Sequence, residues 1–270
     1  MSISERLSLY EAVSVICQKL DCPFAVGVSA TTINDALTLA TKAVEIGCDG
    51  IMLGLPPYLR LCQEEIINYV ESVRAVVPRS IPLLLYNNAM RNSYGATAET
   101  LVYLHQNEVI WGVKHASTNF FADCEKIFSL DSSIRLYTGG DLLAKDLMIN
   151  PTLPSKFYGL TSILGNVFPA ALGEMVADFV AYSPGQMRGV VSNMSMEDRE
   201  LALKELGDAL LVGCTLPVGV KYALQLRGIP VGVARPPIGH LSEAKRIEIE
   251  SSLHKFASFL IGSAEVKNQE

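Results

Sequence analysis

No apolar stretch in this chain approaches the roughly 18 residues that a membrane-crossing helix needs, although the mean hydropathy is +0.28. A membrane span is therefore not expected. The first residues, Met1-Ser-Ile-Ser-Glu-Arg-Leu7, lack the basic start and continuous apolar core of a secretory leader. The expected location is the cytoplasm. No lysine/arginine cluster would form a phosphate-binding stripe, and the formal net charge is −6 with a pI near 5.3. Nucleic acid is thus not an expected partner. The six cysteines (Cys17, Cys22, Cys48, Cys62, Cys124, Cys214) include no Cys-x-x-Cys pair. They read as reduced, mostly buried small hydrophobes. The four histidines (His105, His115, His240, His254) lack metal-ligand spacing, so no metal or other cofactor is expected. No Gly-x-Gly-x-x-Gly follows an apolar run, which weakens a dinucleotide-binding sheet.

What the chain does have is repetition. Six apolar, β-rich runs recur: Phe24-Ala-Val-Gly-Val-Ser29, Gly50-Ile-Met-Leu-Gly-Leu55, Ile81-Pro-Leu-Leu-Leu-Tyr86, Val109 to Lys114, Ile134-Arg-Leu-Tyr-Thr138 and Phe157 to Ile163. Their centres lie about 24 to 31 residues apart, the length of one βα repeat. Helical segments fall between them. Thr32 stands before one, Gln63-Glu-Glu65 opens a second with Ile66, Val70 and Val73 at helical spacing, and Thr97 precedes a third. Asp141 can cap another. Past Val167 the strands stop, and helices are expected at about 168–184, 195–212, 217–228 and 242–261. A hydrophobic content of 49% over 270 residues is enough for one large core or two modest ones.

The segment Val109-Ile-Trp-Gly-Val-Lys-His-Ala-Ser117 places one amine near the end of a buried run. Apolar surroundings disfavour an ammonium, so Lys114 is a candidate nucleophile toward carbonyl compounds. The alternative is a strand-end lysine reaching for water. Other polar residues collect at the C-terminal ends of different runs: Tyr58, Tyr86, Thr138 and Asp141. A TIM barrel carries its catalytic groups at that face. The expected fold is therefore α/β, a (β/α)8 TIM barrel with six strands visible. Residues 1–166 would form the barrel portion, and 167–270 a C-terminal helical extension packed on it.

These residues resemble the dihydrodipicolinate synthase / N-acetylneuraminate lyase family of pyruvate-dependent class I aldolases. The resemblance runs from about residue 6 to the C-terminus. Its motifs are Tyr86-Asn87, Gly112-Val-Lys-His115, Gly140-Asp141, Ser162-Ile-Leu-Gly-Asn166, Leu216-Pro-Val-Gly-Val-Lys-Tyr-Ala-Leu224 and Ala234-Arg-Pro-Pro237. It implies that Lys114 forms a Schiff base with the keto carbon of pyruvate or a 2-keto acid, with Tyr86 shuttling the proton. It also implies that Tyr58, in Pro56-Pro-Tyr-Leu-Arg60, reaches across a subunit interface in a homo-oligomer, a dimer or tetramer. Arg91 would bind a substrate carboxylate, and the backbone near Thr161 would approach that of pyruvate. Arg91 leans toward the dihydrodipicolinate synthases, with an aldehyde as the possible second substrate, whereas Pro56-Pro-Tyr-Leu59 looks more like the sugar-acid dehydratase and 2-keto-3-deoxy-sugar-acid aldolase branches. Each residue also has a plainer reading: Tyr58 as a loop aromatic on the barrel rim, Arg91 as an exposed loop arginine, Thr161 as a strand threonine.

Two departures from the family stand out. His115 replaces the usual acidic residue after the lysine, and strand alternation should turn it away from Lys114 toward the helices. The family's early strand ending Gly-Thr-Thr-Gly-Glu, which contacts the pyruvate carboxylate, has no counterpart, and residues 3–20 resemble the helix that follows it. The expectation is a barrel lacking its N-terminal βαβ unit, with unpaired backbone groups on the strands near Phe24 and Phe157. Three readings remain: a Schiff-base lyase catalysing aldol condensation or cleavage, or dehydration; a non-catalytic truncated relative serving as a subunit or binding protein; and an unrelated α/β enzyme with a coincidental lysine.

Overall fold

The computed structural model describes residues 1–139, 157–173 and 196–256. The chain divides into two compact units, Met1–Gly139 with Pro151–Gly159, and Gly140–Asn150 with Leu160–Glu270. In the first, α1 (Ile3–Lys19) leads into β1 (Ala25–Val28), α2 (Ile33–Glu45), β2 (Gly50–Gly54) and α3 (Gln63–Val76). Next come β3 (Leu83–Asn88), a one-turn helix α4 (Ala89–Asn92), α5 (Ala98–Gln106) and β4 (Gly112–Ala116). Then follow α6 (Phe120–Leu130), β5 (Leu136–Thr138) and, later, β6 (Phe157–Leu160). The strands form one sheet in the order β1-β2-β3-β4-β5-β6, with β1 to β5 paired in parallel. This is a six-stranded arc of a (β/α)8 barrel, as the repeat of runs led one to expect.

Local chemistry accounts for the helices. Thr32 accepts from the backbone N–H of Asp35, and Thr97 from that of Thr100, each satisfying an orphan donor of the first turn. Ser2 and Glu5 form a reciprocal capping box on α1. In α2, Ala36, Leu39, Ala40 and Ala43 recur at helical spacing and are all buried; Ile66, Val70 and Val73 do the same in α3.

Alternation along each strand separates two faces. Val26, Val28, Ile51, Leu53, Leu83, Leu85, Val113 and Leu136 are buried, whereas Met52, Leu84, Tyr86, Lys114 and Tyr137 on the opposite face are only half-buried. The first set is the core under the helices. The second is the barrel-interior face.

Strand boundaries differ from expectation in an instructive way. The run at Val109 begins as a turn: the N–H groups of Val109 and Ile110 both return to the Leu104 carbonyl, and pairing with β3 starts only at Trp111. Lys114 is therefore the middle residue of β4, not its last. Similarly, β3 continues two residues past Tyr86, because Asn87 and Asn88 are buried with side-chain partners. On β1 the carbonyl of Gly27 accepts from Arg6 and Tyr10, and just past the strand that of Ser29 accepts from Arg6. Side chains of α1 thus occupy backbone groups expected to be unpaired. Of the cysteines, only Cys48 and Cys124 are buried; Cys22 and Cys62 are exposed, in a turn and at the cap of α3.

The second unit follows β6 with a 3-10 turn at Leu164–Asn166 and the helices α7 (Met196–Leu211), α8 (Leu216–Leu226) and α9 (Glu243–Lys255). Its core joins Leu164 and Phe168 to Ala202, Leu206 and Leu210 of α7, Val220 and Ala223 of α8, and Ile249 of α9. Among the described residues no single helix is long and apolar enough to cross a membrane.

His115 faces the helix layer, as alternation requires. Its Nε2 lies 3.1 Å from Asp123 of α6, and its Nδ1 lies 3.3 Å from Asn87 Nδ2. The Asn87 amide is oriented by Ala96, whose N–H donates to Oδ1 (2.9 Å) while Nδ2 donates to the Ala96 carbonyl (3.0 Å). Nδ1 must then accept, leaving the proton on Nε2 facing Asp123. Burial holds the imidazole pKa below its ordinary 6.5, against the opposing pull of Asp123. The unfolded chain therefore takes up this proton first, and His115 costs stability as pH falls below about 6.5. Urea unfolding at about pH 7.5 and about pH 5.5 should show a smaller acid-side loss for His115→Gln than for the wild type. An equal loss in both would mean that other groups set the acid limb.

Candidate active site

The barrel-interior face carries Tyr86, Lys114 and Tyr137. In the register of the sheet, Gly54, Tyr86, Lys114 and Tyr137 are successive partners across β2, β3, β4 and β5. Side chains at such positions project from one face, so the amine and two phenols share a row. Lys114 Nζ stands 4.3 Å from the centroid of the Tyr86 ring, over its face. An ammonium there gains cation–π stabilisation, and a neutral amine has an aromatic wall beside it.

Gly139, immediately after β5, leaves room for the lysine stem. A Cβ at that position would lie 2.8 Å from Lys114 Cε. Any larger residue would push the lysine off its path.

One step along the same face stands Asn88, partnered with Ala116. Its Nδ2 donates to the Tyr86 hydroxyl at 2.6 Å, and its Oδ1 accepts from the Arg91 N–H at 3.1 Å. Asn88 is thus both a partner of the phenol and the cap of α4. Behind the row, on the helix side, lie Asn87, His115 and Thr138. Asn87, 2% exposed, fastens the strand end to Ala96 and so closes the loop that carries Arg91.

The residues expected from sequence separate as follows. Lys114 and Tyr86 are brought together. Thr138 belongs with His115 on the buried helix side, so its hydroxyl does not face the row. Tyr58, 94% exposed, sits in the loop between β2 and α3 with φ 74, a left-handed backbone that is uncommon for a bulky side chain. Arg91 is exposed on α4, just beyond the strand of Tyr86. Thr161 is half-buried, one residue past β6 rather than within it. Asp141, with the Gly140-Asp141 turn, lies outside the described residues. Sequence reading missed Asn88 and Gly139, and it named Asn87 and Tyr137 only within a motif and a strand run, without a place at the site. The i+2 spacing of Asn88 from Tyr86, and of Gly139 from Tyr137, would have placed both on the lysine's face.

No group of three or more His, Cys, Asp or Glu side chains able to hold a metal occurs among the described residues. A groove of about 560 Å³ opens near the strand starts, lined by Arg74, Arg79, Trp111 and Arg135. Those arginines are engaged in the scaffold. Arg74 donates to the carbonyls of Val77, Pro78 and Ile81, Arg79 pairs with Glu108, and Arg135 stacks on Trp111.

The sequence pattern of the dihydrodipicolinate synthetase family matches residues 1–256. The 4-hydroxy-tetrahydrodipicolinate synthase of Marinobacter nauticus is 28% identical over 231 residues, spanning 86% of this chain and 74% of the relative. That of Archaeoglobus fulgidus is 29% identical over 243 residues, with 90% and 78% covered. Among solved structures, a dihydrodipicolinate synthase of Bacillus anthracis superposes with a TM-score of 0.79 at 25% identity, covering 94% of this chain and 81% of the other. The Acinetobacter baumannii enzyme, solved with pyruvate, superposes with a TM-score of 0.80 at 24% identity, covering 97% and 83%. With its lysine and tyrosine paired on adjacent strands of this arc, the chain belongs to the dihydrodipicolinate synthetase family.

Proposed function

We propose that this protein is a Schiff-base lyase acting on pyruvate or a related 2-keto acid. The observation that carries the reading is the direct pairing of Lys114 with Tyr86, amine over phenol ring. The Lys114 amine adds to the keto carbon, giving a carbinolamine. Tyr86 protonates the departing hydroxyl, which leaves as water, and an iminium remains on Lys114. The Tyr86 phenolate then takes a proton from the adjacent carbon. The C–H electron pair becomes the enamine double bond, and the phenol is restored for the next cycle.

The enamine attacks an aldehyde in condensation, and the reverse gives cleavage. The relatives named as 4-hydroxy-tetrahydrodipicolinate synthases favour the first, with an aldehyde that carries its own carboxylate. Arg91 is the candidate anchor for that carboxylate, since a guanidinium forms bidentate pairs with it.

Tyr58 fits a role outside its own protomer. It points into solvent from a left-handed backbone, and such strain persists where the surroundings over-determine it. We assign it to a neighbouring subunit's site in a homo-oligomer. The protein should sediment as a dimer or larger at micromolar concentration, and Tyr58→Ala should lower activity in the assembled species. A purely monomeric profile would leave Tyr58 with no site to serve.

Borohydride reduction in the presence of pyruvate should fix one pyruvoyl unit on the peptide containing Lys114. Lys114→Arg should abolish the label, because a guanidinium stays protonated and does not condense. A folded wild-type chain that takes up no label would leave the non-catalytic reading in place.

Gly139→Ala tests the lysine's path. The crowded atom is near the flexible end of Lys114, so the fold should survive while the amine shifts. An ångström of displacement slows labelling by about a hundredfold. Labelling at the wild-type rate would show that the site tolerates a moved lysine.

A further inference from the structure

Asn88 links two parts of the candidate site that are otherwise separate: the phenol of Tyr86 and the turn that presents Arg91. It is 6% exposed. The orientation of its amide follows from its partners. The backbone N–H of Arg91, 3.1 Å away, can only donate, so the Asn88 atom facing it is the oxygen. The nitrogen therefore faces Tyr86 Oη at 2.6 Å. An amide NH₂ donates and does not accept. The phenol oxygen must then accept from Asn88, and the phenol's own hydrogen is directed elsewhere. The Tyr86 ring borders Lys114 Nζ, on the partner position of the next strand.

We propose that Asn88 is a positioning residue for proton transfer by Tyr86, a role that rests on the Schiff-base reading above. Its donated hydrogen bond keeps the Tyr86 proton free for the substrate bound at Lys114. The same bond stabilises the phenolate oxygen in the interval after that proton has passed to the leaving hydroxyl. Asn88 takes up no proton and touches no substrate. Because its oxygen caps α4, the phenol and the Arg91 turn are set by one side chain. The turn that receives a second substrate and the group that moves the proton are thereby held in a fixed relation.

The two halves of the role separate by substitution. Asn88→Asp keeps an oxygen for the Arg91 N–H but turns the donor into an acceptor, which draws the Tyr86 proton away from Lys114. Asn88→Leu removes both bonds. Two readouts are needed. One is exchange of the pyruvate methyl protons for solvent deuterium, which reports the proton transfer. The other, free of catalysis, is the ring Cζ resonance of Tyr86 in protein labelled at tyrosine.

Both variants should shift the Tyr86 resonance and slow methyl exchange about tenfold or more, while the pyruvate KM stays within about threefold of wild type. In a Tyr86→Phe background, Asn88→Asp should cost nothing further, since the partner is gone. An unmoved resonance overturns the contact. Trapped pyruvate with wild-type exchange in Asn88→Asp overturns the role of Asn88 alone, as does an effect that persists undiminished with Tyr86→Phe. A wild-type chain that traps no pyruvate overturns the Schiff-base reading and, with it, the purpose assigned to Asn88.

Discussion

Parallel strands paired in register carry their side chains in rows, and each row belongs wholly to one face of the sheet. The site depends on this constraint. Tyr86 and Lys114 meet because they are partner residues on β3 and β4; a slip of one position would send one of them into the helix layer. What fixes the register is the opposite face, where Leu83, Leu85 and Val113 are fully buried beneath helices. Burying such side chains contributes roughly 1.5–3 kcal/mol each relative to exposure. A slip that exposed several of them would cost far more than any contact at the site could return. The apolar core thus sets where Lys114 and Tyr86 stand.

Between core and site lies a buried polar row that fixes the loops. Asn87, His115 and Thr138 occupy helix-facing positions where a hydrocarbon would have packed more simply. A polar group placed there costs free energy unless it is paired. Asn87 is paired with both backbone groups of Ala96, and His115 with Asp123 and Asn87. The two bonds between Asn87 and Ala96 close the loop from Ala89 to Ala96, which carries Arg91. Where the family has an acidic residue after its lysine, this chain has an imidazole, which keeps a carboxylate partner across the helix boundary at Asp123.

The sequence made the six-strand repeat legible, because strands β1 to β5 bury an apolar set on their helix side and α1, α2, α5 and α9 each open on a serine or threonine cap. It misled at strand ends. Val109 and Ile110 look like strand because they are apolar, yet they close the turn after α5. Asn87 and Asn88 look like loop because they are polar, yet they are strand residues with satisfied side chains. Hydropathy reports burial, not backbone pairing, and the two part company where a polar group finds a buried partner. Lys114 and Tyr86, which the sheet places side by side, stand out in the sequence as motif residues. Asn88 and Gly139 do not, because their contacts depend on which atoms stand beside them.

The outer side of β1 shows how local chemistry manages an exposed strand. Such a strand presents unpaired backbone groups and invites pairing with another chain. Here the carbonyls of Gly27 and Ser29 are engaged by the Arg6 guanidinium, and the Tyr10 hydroxyl adds a second bond to Gly27. Both side chains come from one face of α1, at i and i+4, so a single helix turn serves the strand. An incoming strand would have to displace a charge-assisted bond worth roughly 1.5–3 kcal/mol before making its own. Leu9, Val13 and Ile16 of the same helix remain exposed, so the polar bonds are directed at the strand while apolar surface is left open. Backbone groups left bare are the more specific liability, since they pair with any strand. The chain spends its arginine and tyrosine there.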